Sequence, residues 1–328
     1  MDISVIIPVY NAGSRLNECV KSVVCQKGID KENIEIILID DGSTDGSGQL
    51  CDDIAEKYRD FNIKVIHQQN QGVSQARNIG IKTSLGKYIT FIDADDTIKD
   101  DAVHYLMTSV NSSNIKMVSM NGSTGLFSGY SYIRKCLLYK DTHVWGKLFD
   151  AEFIKQISFL KGITIGEDML FLLDLAIKTG DEKSILCLSE QKYNYFDNDN
   201  GAMKRGFKLS FTDEIFCWDK AEEKLRRIRQ ESGNFADENV FNRLAVIKVY
   251  SSMLLAGKLA LVHERVISDE EKRDFEKALT ICKDALKNAL STKGTFKRLD
   301  MGYKVKVMLF KISPKIYFKL YGSWKNGR

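Results

Sequence analysis

Four short apolar segments in the first hundred residues, separated by segments with helical spacing, constrain the fold of this chain more than any other feature. The apolar segments are residues 3–7, 34–39, 64–66 and 88–92, each too short for a typical helix. Apolar strands that alternate with helices predict an α/β fold with a mainly parallel sheet covered by helices on both faces. Ligands of such sheets bind beyond the C-terminal strand ends, so the residues after each strand are the candidate functional residues.

The rest of the chain changes from a mixed to a helical pattern. Only two prolines, Pro8 and Pro314, interrupt it, so most of it can run as unbroken helices and strands. We predict an α/β domain over residues 1–205 and an all-helical region over 206–328, with an irregular loop at 197–206. The further predicted elements are a strand at 116–119 and helices at 102–110, 167–179, 211–230, 238–262 and 268–290.

Composition and cysteine usage indicate an ordinary soluble protein. The chain is 44% hydrophobic and 28% charged, with a net charge of +4. Its seven cysteines are widely spaced, without a C-x-x-C pair, which fits neither a disulfide framework nor a thiolate zinc site. The start of the chain lacks the pattern of a signal peptide, and no apolar run approaches the roughly 18 residues of a membrane span. We therefore predict a reducing, cytoplasmic location.

Polar clusters follow the first two predicted strands, at residues 8–11 and 40–45. Tyr10 could stack on a nucleobase, and Asp40 or Asp41 could accept a hydrogen bond from a ring N–H. The alternative is structural: an Asp-Gly turn, with Ser43 or Thr44 as the cap of the next helix.

Two more clusters follow the third and fourth strands. Gly72 precedes a helix that carries Arg77. The start of this helix could bring backbone N–H groups, and Arg77 a cation, to a phosphate or metal. The alternative is that these residues serve only helix capping and packing. Asp93, Asp95 and Asp96 stand within four positions. Unpaired carboxylates this close raise one another's pKa, so a hard cation such as Mg²⁺ or Mn²⁺ is one explanation. The other is a solvated acidic turn in which Asp96 caps a helix.

Together these clusters resemble the family 2 glycosyltransferases of the GT-A fold, closely over residues 1–96 and more loosely to about 205. The resemblance rests on four motifs in the right order and spacing: VIIPVYN at 5–11, IDDGSTD at 39–45, Gly72 with ARN at 76–78, and FIDADD at 91–96.

The resemblance implies a donor site for a nucleotide sugar. It places Pro8, Tyr10 and Asp41, with Asp40 beside it, at the nucleoside, which in this family is usually uridine. Asp93 and Asp95 match the D-x-D motif, which meets the ribose and the divalent metal on the diphosphate, with Asp95 as the direct ligand. Asp96 is an alternative, because some members carry the acidic pair one position later. The remaining donor-side candidates are Asn11, Gly72, Arg77 and Ala94.

The resemblance also implies an acceptor side, in the segments VWGKLF at 144–149 and GEDMLF at 166–171. The aspartate of the family's E-D pair is the general base, which makes Asp168 the catalytic candidate, with Glu167 beside it. Trp145 and Lys147 are the acceptor-side candidates, together with Asp96. The structural alternatives are a helix N-terminus rich in acidic residues, a core tryptophan and a surface lysine. The segment 197–201 departs from the family pattern.

The resulting hypothesis is an inverting, Mn²⁺- or Mg²⁺-dependent transferase that moves a hexose or N-acetylhexosamine from a UDP-sugar to a lipid-linked or protein-linked glycan acceptor. Such a step belongs to capsule, exopolysaccharide, cell-wall glycan or glycoprotein assembly. The alternative is a non-catalytic sugar-nucleotide-binding or scaffold subunit. A sugar-phosphate nucleotidyltransferase is disfavoured, because no Gly-rich loop with a lysine follows the first strand.

The tail, residues 301–328, carries seven basic residues and no acidic one, so residues 1–300 sum to 4 − 7 = −3. Its lysines alternate with apolar residues, a pattern typical of a segment at an anionic membrane surface, such as the inner face of the plasma membrane. The alternative is a C-terminal helix packed on its own domain. Nucleic-acid binding is not expected, because no such motif is present. The helical region is also a candidate homodimer surface.

Overall fold

The chain divides into two units, Met1–Asn198 and Asp199–Arg328. The structure, a computed structural model, describes all residues except 111, 113, 140, 198–205, 233–234, 236–237, 264–267 and 327–328. Most of the predicted loop at 197–206, including the predicted domain boundary at 205/206, lies outside the described residues.

The first unit alternates strands with helices, as predicted. Its described strands are β1 (Ile3–Val9), β2 (Ile34–Asp40), β3 (Asn62–His67), β4 (Tyr88–Phe91), β5 (Thr97–Ile98), β6 (Met117–Ser119), β7 (Gly125–Ser128), β8 (Lys147–Asp150), β9 (Lys183–Cys187) and β10 (Tyr193–Asn194). Its described helices are α1 (Arg15–Val24), α2 (Ser47–Lys57), α3 (Val73–Thr83), α4 (Ala102–Thr108), α5 (Gly129–Tyr132), α6 (Ala151–Ile154) and α7 (Glu167–Thr179).

Eight of these strands form one sheet in the order β3-β2-β1-β4-β8-β6-β9-β7. Strands β1 to β4 are parallel, with β1 between β2 and β4. β8 runs antiparallel to both β4 and β6, and β7 runs antiparallel to β9. β5 and β10 form a separate antiparallel pair. The sheet is therefore mainly parallel, and the predicted fold class of the first unit is confirmed.

Both faces of the sheet are covered, which explains why β1 and β2 are mostly apolar. Alternate residues of β1, including Val5 and Ile7, pack in a core with α1, α2 and α4. Ile6 points to the other face, where it contacts Gly80 of α3. Because β1 to β4 run parallel, their C-terminal ends and the loops that follow them lie at one edge of the sheet.

The described part of the second unit is helical, as predicted. Its helices are α8 (Thr212–Ser232), α9 (Glu238–Val262), α10 (Asp269–Ser291), α11 (Thr295–Arg298), α12 (Met301–Ile312) and α13 (Pro314–Asn326). Pro314 occupies the first position of α13, where no backbone N–H is needed, so it separates two helices as expected.

Helix α9 is the core of the second unit and contacts α8, α10, α12 and α13. It is long and apolar enough to cross a membrane, a feature that the search for apolar runs in the sequence did not predict. However, 67% of its most apolar window is buried within the structure, which is typical of the core helix of a globular unit.

All seven cysteines lie among the described residues and carry free thiols. This agrees with the prediction that they form no disulfide framework.

Candidate active site

The loops after β1 and β2 are joined by hydrogen bonds through Asn11. Its backbone N–H donates to Ser43 Oγ at 3.0 Å, and its Oδ1 accepts from the Thr44 N–H at 2.8 Å. Asn11 adopts φ +50°, a conformation that asparagine tolerates better than most residues. Pro8 lies in β1 opposite Ile39 of β2, and the adjacent Tyr10 is 49% exposed. The predicted nucleoside residues of the first motif therefore lie beside the second motif, with the Tyr10 ring open to a ligand.

Asp40 and Asp41 are both buried but differ in their partners. Asp40 accepts from the Ser43 N–H at 3.0 Å and faces His67 Nδ1 at 3.1 Å. Burial alone would raise the pKa of Asp40, but the hydrogen bonds from Ser43 and His67 hold it below its ordinary value. Asp41 accepts from the backbone N–H groups of Gln71 and Gly72, each at 2.8 Å, and so binds the loop after β3 to the end of β2.

Gly72 therefore has a different role from the one its position predicted. Its N–H donates to Asp41 rather than facing a site where a phosphate would bind. It begins α3 with φ +86°, a backbone conformation that favours glycine. The residue orients the helix that carries Arg77, and the sequence prediction of a phosphate-binding N–H at Gly72 is corrected.

Arg77 is the centre of the site. Its guanidinium is 4% exposed, and it donates to Asp93 Oδ1 at 3.0 Å, Glu167 Oε1 at 3.0 Å and Asp168 Oδ1 at 2.7 Å. This single side chain joins the D-x-D motif to the E-D motif. Because its charge is used on protein carboxylates, Arg77 is a positioning residue. It brings a cation to the D-x-D motif, one of the two places that the sequence predicted, and a direct contact with a phosphate stays a prediction.

The carboxylates around Arg77 differ in how far solvent reaches them. The Asp93 side chain is 32% exposed, whereas those of Glu167 and Asp168 are 10% and 12% exposed. Asp168 also accepts from the Val144 N–H at 3.0 Å, so both of its oxygens are oriented. Asp93 thus faces outward from the cluster, while Asp168 is held from two sides.

One buried cation facing three carboxylates leaves an excess of negative charge. Burial, reinforced by the neighbouring Asp168, raises the pKa of Glu167 to about 8, even though Arg77 acts in the opposite direction. The cluster therefore favours the protonated form of Glu167.

Asp96 is buried at 1% exposure and does not face an acceptor site, so its acceptor-side assignment is corrected. It accepts from the Tyr193 hydroxyl and from the Phe196 N–H, each at 2.6 Å. Burial raises the pKa of Asp96 to about 6, although these hydrogen bonds oppose the rise. The Tyr193 hydroxyl also accepts from the Asp93 N–H at 3.1 Å. Asp96 and Tyr193 therefore fasten β10 to the loop that carries the D-x-D motif.

Trp145 lies in an aromatic stack. Its ring centroid is 5.0 Å from that of His143 and 4.5 Å from that of Tyr193, with interplanar angles of 12° and 15°. Tyr195, at 6.3 Å, extends the stack and is 63% exposed. Trp145 is half-buried and packs on protein rings, so it is not a fully buried core residue, and its contact with an acceptor stays a prediction. The exposed members of the stack are His143 and Tyr195. The sequence prediction assigned neither residue to the site. Their only signals are that His143 directly precedes the segment 144–149 and that Tyr195 shortly precedes the segment 197–201.

Lys147 is 3% exposed in β8 and pairs with Asp141, which also accepts from Tyr132 and Asn121. Burial would raise the pKa of Asp141, but Lys147 lowers it. Lys147 therefore neutralises a buried carboxylate, and both predictions, an acceptor contact and a surface lysine, are corrected. The pair was missed because Asp141 lies in a polar segment without a motif.

The D-x-D motif supplies oxygen donors only. Among the described residues, no group of three or more histidine, cysteine or acidic side chains could hold a metal ion. Asp93 is partly exposed and Asp95 is half-buried, with the small, buried Ala94 between them. One or two carboxylates fit a Mg²⁺ or Mn²⁺ ion that completes its shell with substrate phosphates and water. The donor set is therefore compatible with a metal that binds together with a diphosphate.

Comparison with known proteins agrees with these motifs. Residues 4–145 match the family described as Glycosyl transferase family 2. Glycosyltransferase GlyG of Streptococcus pneumoniae is 43% identical over 120 residues, which cover 36% of this chain and 38% of GlyG. EpsJ of Bacillus subtilis, an uncharacterized glycosyltransferase, is 40% identical over 235 residues, which cover 65% of this chain and 66% of EpsJ. The minor teichoic acid biosynthesis protein GgaB of Bacillus subtilis is 33% identical over 216 residues, 61% of this chain and 23% of GgaB.

This chain thus spans well under half the length of GlyG and GgaB. Among solved structures, S. aureus TarS 1–349 is similar with a TM-score of 0.61 at 19% identity, covering 100% of this chain and 92% of that one. The mannosyltransferase PcManGT of Pyrobaculum calidifontis, solved with GDP-Man and Mn²⁺, has a TM-score of 0.52 at 14% identity, with coverage of 98% and 87%. At these identities the likeness is one of fold.

Proposed function

Because this chain belongs to glycosyl transferase family 2, we propose that it transfers a hexose or N-acetylhexosamine from a UDP-sugar to a hydroxyl group of a glycan acceptor, with inversion and with Mn²⁺ or Mg²⁺. The observation that carries the proposal is the contact of Arg77 with Asp93 on one side and Asp168 on the other. It brings the predicted metal motif and the predicted general base, far apart in sequence, to one buried cation.

The donor assignment rests on the edge of the sheet where Tyr10 and Asp41 lie. An exposed tyrosine ring beside an oriented carboxylate suits a planar base with a ring N–H. Structures of the similar TarS with UDP and with UDP-GlcNAc support uridine as the donor nucleoside. Asp95 and Asp93 would hold the metal, which when bound neutralises charge on the departing diphosphate.

Asp168 is proposed as the general base. It accepts the proton of the acceptor hydroxyl while that oxygen attacks the anomeric carbon from the face opposite the diphosphate. Arg77 and the Val144 N–H orient its two oxygens. Glu167 lies beside this base and accepts a hydrogen bond from the same Arg77 guanidinium.

The acceptor is proposed to be a cell-surface glycan assembled in the cytoplasm on a lipid or protein carrier. Supporting this class, the relatives include GgaB and a poly(ribitol-phosphate) beta-glucosyltransferase of Bacillus spizizenii, which is 32% identical over 215 residues. A homodimer formed through the second unit stays a prediction.

The test is UDP release from a panel of nucleotide sugars with Mn²⁺, together with thermal melting in UDP, Mn²⁺ and both. We expect release from at least one UDP-sugar and a melting shift with both ligands that exceeds the sum of the separate shifts. Asp95→Ala should remove the excess shift, while Asp60→Ala, a change at an exposed aspartate, should keep it. A synergistic shift without release from any sugar would instead indicate a binding subunit. No shift and no release would contradict the proposal.

A further inference from the structure

Helices α12 and α13 leave a row of large apolar side chains exposed. On α12 these are Met301, Val305, Met308 and Ile312, with exposed fractions of 71%, 51%, 54% and 72%. On α13 they are Ile316, Leu320 and Trp324, at 49%, 53% and 49%. Contiguous apolar patches of this kind mark interaction sites rather than ordinary surface.

The spacing of these residues places them on one face of each helix. They recur at intervals of four, three and four residues on α12 and of four on α13, which is the period of one helical face. The opposite face is anchored: Val307 and Phe310 of α12 and Tyr317 and Phe318 of α13 are at most 2% exposed. Both helices contact α9, so the exposed face is turned away from the core of this unit.

Lysines border this face on one side. Lys304, Lys311, Lys315 and Lys319 each precede one of the exposed apolar residues, about 100° around the helix from it. No aspartate or glutamate occurs from residue 301 to 328. We call the apolar row and its bordering lysines the α12–α13 face.

We propose that the α12–α13 face docks on an anionic membrane surface, with the apolar row among the acyl chains and the lysines at the lipid phosphates. Amphipathic helices with a lysine-rich polar side lie in the membrane interface in this way, and tryptophan is suited to that depth. Charge complementarity decides the occupant. A second copy would bring two rows of lysines together, whereas an anionic bilayer offers both a negative surface and an apolar interior.

This inference goes beyond the proposed transfer reaction, and its test needs no sugar substrate. The full chain is floated with vesicles of phosphatidylglycerol and phosphatidylcholine in equal parts, and with vesicles of phosphatidylcholine alone. We expect binding to the anionic vesicles at least about tenfold tighter than to the neutral ones, and weaker binding at high salt. Equal binding to both vesicles, or binding to neither, would overturn the proposal.

Paired variants separate this face from the rest of the surface. The triple change Met308→Ser, Ile312→Ser and Ile316→Ser should reduce vesicle binding at least about tenfold, because interfacial affinity follows buried apolar area. The control changes Leu85→Ser, Leu126→Ser and Leu160→Ser, which are 74%, 46% and 44% exposed in the first unit, should leave it unchanged. Equal loss in both triple variants would show that the binding does not use the α12–α13 face.

Two sets of lysine changes test how much the positive charge of the α12–α13 face contributes to membrane binding. Changing Lys304, Lys311, Lys315 and Lys319 to Glu should weaken anionic binding by at least about fivefold per lysine, because each change removes a positive charge and adds a negative one. Changing the exposed Lys21, Lys31, Lys64 and Lys82 to Glu alters the net charge equally and should have a much smaller effect. If lipid-free wild type is a dimer that the triple serine change makes monomeric, the face is a contact between copies and the membrane proposal is wrong.

Discussion

At the scale of single residues, the site depends on how one arginine is used. Arg77 lies 16 residues before Asp93 and 91 before Asp168, and the sequence predicted all three as site residues without predicting that they touch. Such a contact is set by the packing of α3, α7 and the loop after β4, which no local pattern encodes. The wrong acceptor-side predictions for Asp96 and Lys147 have the same cause. Neighbouring residues of one motif can point into different surroundings, and the sequence motif does not show which residues become buried.

Replacing Arg77 by an apolar side chain should destabilise the protein. Arg77→Met leaves Asp93, Glu167 and Asp168 without their shared cation, so we expect a loss of about 3–5 kcal/mol in the free energy of unfolding. Urea denaturation measures it, with the exposed Arg59→Met as the control. A change within about 0.5 kcal/mol of wild type would contradict the role assigned to Arg77.

The proton on Glu167 should make stability depend on pH. Its folded pKa, about 8, lies above the ordinary value of 4.5, so folding favours the protonated acid. The stabilisation is complete below about pH 4.5 and is lost as the pH rises through about 8. Glu167→Gln keeps the neutral form, so its melting temperature should fall less than that of wild type from about pH 5 to pH 8.

Glu56→Gln, a change at an exposed glutamate, is the matched control and should follow the wild-type pH profile. Identical profiles for Glu167→Gln and wild type would mean that Glu167 is ionised in the folded protein.

At the scale of elements, apolar runs and helical spacing were enough to predict β1 to β4 and most of the long helices. The predicted bounds of α7 and α9, 167–179 and 238–262, coincide with the observed ones. Strands β7, β8 and β9 were missed because they are four or five residues long and lack a distinctive pattern. Their order in the sheet, with antiparallel β8 between β4 and β6, depends on contacts distant in sequence.

Close packing of α3 on β1 should make Gly80 intolerant of a side chain. A Cβ at this position would lie 2.5 Å from Ile6 Cγ2, whereas a Cβ at Gly302 in α12 would meet nothing within 4 Å. We expect Gly80→Ala to destabilise by about 1–3 kcal/mol and to displace Arg77, while Gly302→Ala is neutral or slightly stabilising. Urea denaturation compares the two. Equal effects would contradict the close contact of α3 with β1.

At the scale of the whole molecule, the sequence predicted an α/β unit followed by a helical unit, and family membership follows from residues 4–145. Charge is divided as well, since residues 1–300 sum to −3 while 301–328 carry seven basic residues. The first unit contains the proposed chemistry and the second the proposed membrane face. The membrane-surface role of the tail was predicted from its lysines and apolar residues. Which apolar residues stay exposed became clear only from the packing of α12 and α13 on α9.

The proposed role of Asp168 as the base of a UDP-sugar transferase is tested by comparing Asp168→Asn with wild type. Transfer is measured with a donor found by the nucleotide-sugar panel, and UDP affinity is measured by titration in Mn²⁺. We expect transfer to fall about a hundredfold or more while UDP affinity is unchanged. Transfer close to wild type in a folded Asp168→Asn protein would contradict this role.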